Sequence, residues 1–149
     1  MNEELLKLLK VELKEIINSA KILKISFKIC NNIGIKNKYS ENELMYFEAL
    51  TARFSRLSDI LIQKVLRTII SIELDSYEST RDLLNLSEKK NIISDAHKLA
   101  ETRTIRNKIV HEYVLEDFEN IFNDVLILTP FLLKDVKSIL NYCKEKYNI

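Results

Sequence analysis

Eight consecutive residues, Arg106-Asn107-Lys108-Ile109-Val110-His111-Glu112-Tyr113, hold an arginine, an amide, a histidine and a phenol. A guanidinium is a planar fork of donors that matches the oxygens of a phosphate, so Arg106 can grip one. Histidine is the side chain whose ordinary titration lies closest to neutrality, so His111 can take up and return a proton. Together such a pair can break a phosphodiester bond without a metal ion.

Each residue also has a plainer reading. A histidine near a helix C-terminus often only caps carbonyls and complements the dipole. Asn107 can bridge buried backbone groups, and Tyr113 can be a core ring with its hydroxyl at the rim. His97 has no such company and reads as surface. The combination argues for chemistry, because these polar residues stand where the helical pattern calls for Leu or Ile, and burying them unpaired costs several kcal/mol.

The elements that must position this segment are helical. The chain has 149 residues, one Gly and one Pro, which leaves almost nothing for hairpins, and its apolar residues recur in helical order. Leu6, Leu9, Leu13, Ile16, Ala20, Leu23 and Phe27 predict a first helix over about 3–30, stopped at Gly34. Ser40 and Glu43 have capping-box spacing. They open a second helix that carries Phe47, Leu50, Phe54, Leu57, Leu61, Val65, Thr68 and Ile72 on one face and ends near Tyr77. A short helix is expected over 80–86, and a fourth over 88–110 with Ser87 as its N-cap. The last should start near Glu116 and be kinked at Pro130. The expected fold is all-α: an antiparallel up-down four-helix bundle with a short extra helix, as one domain over 1–149.

On the fourth helix, an advance of about 100° per residue puts Ile92, Ala96, Leu99, Ala100 and Val110 on the bundle side. Asn107 and Arg103 then lie on that face, with Arg106 and His111 at its edges, about 140° apart. Ile105 and Ile109 point the other way, which predicts a symmetric dimer formed partly around them. Two copies across a two-fold axis would also pool two Arg/His pairs that do not converge within one helix.

The net charge of +1 gives no global attraction to nucleic acid, so any RNA site must come from local clusters such as Lys98, Arg103, Arg106 and Lys108, or Arg53, Arg56, Lys64 and Arg67. Cys30 and Cys143 have no metal-ligand spacing and fit a reduced, cytoplasmic protein. The acidic start Met1-Asn2-Glu3-Glu4 argues against a signal peptide, and the longest uncharged run, Val125 to Leu133, is too short to span a bilayer. The sequence shows no His/Cys set, carboxylate cluster or Gly-rich phosphate loop, so no metal and no cofactor is expected.

Arg106, four residues, His111, one residue and Tyr113 resemble the R-x4-H-x-Y signature of the HEPN superfamily, specifically its HepT-like toxins. The asparagine directly after the arginine and the following Val114-Leu115-Glu116-Asp117-Phe118 are similar as well. The resemblance implies a homodimeric, metal-independent endoribonuclease acting on single-stranded RNA, the toxin of a toxin–antitoxin pair. Arg106 and His111 would be catalytic and Asn107 would support the site. A partner nucleotidyltransferase antitoxin would neutralise the protein by adenylylating Tyr113. The rival reading is a non-catalytic helical subunit that presents substrate or a nucleotide to such a nucleotidyltransferase, with Arg106 and His111 as phosphate contacts only. The sequence favours the enzyme through His111, since lysine would serve binding equally well.

Overall fold

In the computed structural model, residues 2–111 and 118–149 are described, Phe118 by its backbone alone. They form six α-helices: α1 (Glu3–Ile33), α2 (Glu41–Asp59), α3 (Leu66–Ile72), α4 (Thr80–Lys89), α5 (Ala96–His111) and α6 (Phe118–Tyr147). A π-helical stretch, Ile60–Val65, joins α2 to α3, so residues 41–72 make one rod. The rod packs on α1 and α5, and α6 closes the ring against both, with short α4 beside α5. The fold is an antiparallel helical bundle.

Local signals explain the ends of the first two rods. Asn2 caps α1 by accepting from the amides of Glu4 and Leu5. Gly34 ends it with φ 75°, a value glycine adopts without a Cβ penalty, and its N–H returns to the Cys30 carbonyl. Ser40 and Glu43 form the expected capping box of α2. The expected α1 stripe from Leu9 to Leu23 is buried, and so is the whole stripe from Phe47 to Ile72. Inside the ring, Phe47 stacks on Phe122 of α6 with centroids 4.5 Å apart, and Tyr39 meets both rings edge-on.

Several boundaries differ from expectation. The rod ends at Ile72 rather than near Tyr77, and Glu73 then turns the chain. Ser87 is not an N-cap: it is buried within α4, where its hydroxyl donates to the Leu83 carbonyl at 2.8 Å. The fourth long helix starts at Ala96, not at Glu88, because the chain breaks at Asn91, which takes φ 62°. The N-terminus of α5 is satisfied by two carboxylates, Glu88 accepting from Ala96 N and Asp95 accepting from Lys98 N. The expected start of the last helix near Glu116 lies outside the described residues; α6 then runs through Pro130 as one helix.

That break changes which face of α5 meets the bundle. With Ile92 belonging to the preceding turn, Ala96, Leu99, Thr102 and Ile105 define the buried stripe. Ile105 is only 7% exposed and Ile109 packs against the core, so neither faces away from the bundle, and the dimer argument built on them is overturned. Val110 and Arg103, expected on the bundle side, are exposed.

Antiparallel packing of the rod against α1 and α5 follows from cross-links along its length. Arg53 donates to Ser26 Oγ at 2.8 Å and to the Ile22 carbonyl, Lys64 pairs with Glu15, and Thr68 donates to Glu12. At the far end Glu73 gathers Lys90 from before α5, and Tyr142, Lys146 and Tyr147 from the end of α6. The start of α5 therefore lies by the end of the rod. Among the described residues no helix is long and apolar enough to cross a membrane.

Candidate functional site

Turning α5 so that Thr102 and Ile105 face inward brings Arg106 toward the rod, and there it meets Asp59. Arg106 Nε donates to Asp59 Oδ1 at 2.7 Å and Nη2 to Oδ2 at 2.8 Å, a two-pronged ion pair between residues 47 apart in sequence. The third nitrogen, Nη1, donates to Asn107 Oδ1 at 3.3 Å. Hydrogen bonding to Asp59 raises the pKa of Arg106 further above its already high ordinary value, so the guanidinium is permanently charged. The pair is partly open to solvent, with the Arg106 side chain 25% and that of Asp59 42% exposed.

Asp59 is the last residue of α2 and immediately precedes the π-helical stretch. Its place there matters, because π-turns widen a helix locally and occur often at functional sites. Between the stretch and α5 lies an open cleft of about 590 Å3, lined by Arg56, Asp59, Gln63, Lys64, Arg103, Arg106 and Asn107 among others. Its lining brings four cations against one carboxylate. In a chain of net charge +1, this is the local clustering that attraction to an anion requires. It joins arginines from the two basic clusters visible in the sequence, one on the rod and one on α5.

The structure places the expected site residues unequally. Arg106 and Asn107 stand together at the cleft. His111 is the last residue of α5, exposed, and makes no side-chain hydrogen bond or ion pair with any described residue. It does not line the cleft. Five residues along a helix turn it about 140° from Arg106, and within one chain the helix holds the two apart. Tyr113 lies outside the described residues. His97 is at the surface, as expected, but faces Glu101 at 2.9 Å.

Asp59 is the site residue that sequence reasoning missed. Its only trace is an acid next to the apolar stripe between Leu57 and Leu61, a common pattern in any solvated helix. Among the described residues no group of three or more His, Cys, Asp or Glu side chains is arranged to hold a metal ion. Chemically, the arrangement offers a fixed, charged guanidinium at the wall of a cationic cleft, and about one and a half turns away a histidine whose nitrogens have no partner among the described residues. Set against protein-family models and against curated proteins, the chain finds no match in either.

Proposed function

We propose that this chain is a metal-independent endoribonuclease of the HEPN type, a HepT-like toxin that cuts single-stranded RNA as a homodimer. The observation that carries the reading is Arg106, oriented by Asp59 at the wall of a cleft rich in arginine and lysine. The pair ties α5 to α2, and it leaves the guanidinium a quarter exposed at the cleft wall, where an anion can reach it.

In this reading His111 removes the proton of a ribose 2′-OH, and the 2′-oxygen attacks the adjacent phosphorus. The bond from phosphorus to the 5′-oxygen breaks, and that oxygen leaves with the proton that the imidazolium returns. The products are a 2′,3′-cyclic phosphate and a 5′-hydroxyl. Arg106 stabilises the charge that gathers on the phosphoryl oxygens. DNA is spared because it lacks the 2′-OH. The separation of His111 from Arg106 within one chain supports a site shared between two copies, with His111 of one facing Arg106 of the other across a two-fold axis. A nucleotidyltransferase antitoxin neutralises the protein through Tyr113.

The separation also favours a second reading, in which the cleft binds phosphate and His111 takes no part: a non-catalytic subunit presenting substrate or nucleotide to a nucleotidyltransferase. Incubation of purified protein with labelled single-stranded RNA in excess EDTA separates the two. Cleavage ending in cyclic phosphates, abolished by His111→Ala and by Arg106→Ala, is the expected result. Full activity in His111→Ala, or loss of activity on chelation, overturns the mechanism, and the absence of cleavage by the wild type leaves the binding subunit.

A further inference from the structure

Two cations of the cleft have no partner among the described residues. Asp59 occupies Arg106, and Glu15 occupies Lys64 at 3.0 Å. Arg56 and Arg103, both exposed, make no ion pair or side-chain hydrogen bond with any described residue, yet both line the same cleft. Arg103 lies three residues before Arg106 on α5, and Arg56 three residues before Asp59 on α2. Like charges at that spacing on a helix repel, so Arg103 beside Arg106 does nothing for α5 itself.

Direction decides what these positions mean. The rod and α5 run antiparallel, because the rod ends at Glu73 beside Lys90, just before α5 begins. One turn back on α2 and one turn back on α5 therefore lead to opposite sides of the Asp59–Arg106 pair. Each step is about 4.5 Å along the cleft. Arg103 stands toward the start of α5 and Arg56 toward its His111 end, with Arg106 between them. The three arginines therefore follow one another along the groove in the order Arg103, Arg106, Arg56, and their long side chains can spread to meet successive phosphates of one strand.

We infer that Arg103 and Arg56 form two phosphate subsites flanking Arg106, so that the cleft holds three successive phosphates of one RNA strand along the axes of α2 and α5. The inference rests on the ribonuclease reading for the identity of the strand. Because Asp59 already engages Arg106, the flanking arginines supply most of the ground-state grip on the strand, while Arg106 acts at the phosphate being cut.

The test uses a fluorescent 2′-O-methyl oligouridylate, which cannot be cleaved, and follows its binding to the full chain by anisotropy over a range of salt concentrations. Each neutralised phosphate contributes about 0.7 to the slope of log affinity against log salt for a single strand. Arg56→Ala and Arg103→Ala are each expected to lower that slope by about 0.7 and to weaken binding several-fold at low salt. Their lysine versions should restore the slope, and Lys21→Ala, an exposed cation on α1 away from the cleft, should change nothing. Affinity should rise steeply from a mononucleotide to a trinucleotide. Unaltered slopes in both alanine variants overturn the inference. So does equal affinity for uridine monophosphate and the trinucleotide, which would make the cleft a mononucleotide site. Because the probe is not cut, these results do not depend on catalysis: a protein that binds as described but never cleaves RNA fails only the ribonuclease reading.

Discussion

Asp59 holds Arg106 by both carboxylate oxygens, so the guanidinium that α5 sets at the cleft wall is fixed by the last residue of α2. A lysine could not reproduce this, because an ammonium lacks the planar fork that fits a carboxylate. The carboxylate orients the guanidinium and at the same time competes with any phosphate for it.

Asp59 is accordingly expected to be a positioning residue. Asp59→Ala should lower single-turnover RNA cleavage by about ten- to a hundredfold, the usual cost of misplacing a catalytic group. Its melting temperature should fall by only a few degrees, since the pair is partly exposed. Unchanged cleavage would show that Arg106 needs no such support.

The corrected face of α5 moves the test of dimerisation. Ile105→Lys should now unfold the protein, because a charge placed at a position 7% exposed costs more than a typical core substitution. Val110 is 39% exposed and one turn beyond Arg106, so Val110→Lys should leave helical content intact and weaken the proposed dimer. Light scattering with circular dichroism reads both effects. A wild type that is monomeric at micromolar concentration would rule out the shared site.

Tyr113 is expected to be the regulatory position. A phosphate-bearing group on its hydroxyl would add negative charge and bulk close in sequence to Arg106 and His111, and would repel an RNA backbone. Co-expression with the nucleotidyltransferase and peptide mass mapping should find AMP on Tyr113, and Tyr113→Phe should escape neutralisation. If AMP is absent and Tyr113→Phe is neutralised like the wild type, inhibition works by masking.

Two buried carboxylates should give stability opposite dependences on pH. Burial raises Asp135 from 3.8 to about 6, against the opposing hydrogen bonds from Ser94 N and Oγ. A raised carboxylate pKa means that the folded state binds the proton more tightly, so this contribution is present below about pH 4 and is lost as pH rises through about 6. Asp135→Asn should raise the melting temperature at pH 7.5 by a few degrees, an effect of about 1–2 kcal/mol, and the two proteins should converge at acid pH. For Glu73, burial alone would raise the pKa, but hydrogen bonds from Lys90, Tyr142, Tyr147 and Lys146 outweigh it and hold it at about 2. Its contribution is present above 4.5 and lost as pH falls toward 2, so Glu73→Gln should destabilise at neutral pH. Thermal melts from pH 3.5 to 8 check both signs.

The rods were legible in the sequence because their apolar periodicity is long and unbroken: all eight expected core positions from Phe47 to Ile72 are buried. The face of α5 was not. Ile92 and Ile93 are buried like helical core residues but belong to the turn before the helix, so the apparent stripe began one element too early. The Arg106 to His111 spacing was readable as an angle and correctly implied that the two diverge. Asp59 could not be found, because nothing local links residues 47 apart; only the packing of α2 on α5 does.

Only four of the 16 residues of α5 are buried. Its six exposed positions, His97, Arg103, Thr104, Lys108, Val110 and His111, carry little folding constraint, so they can change while the bundle persists. In a saturation library scored separately for cellular abundance and for toxicity, the two scores should part company along α5. Positions where abundance holds and toxicity vanishes would then outline the working surface directly, uncontaminated by the demands of the core.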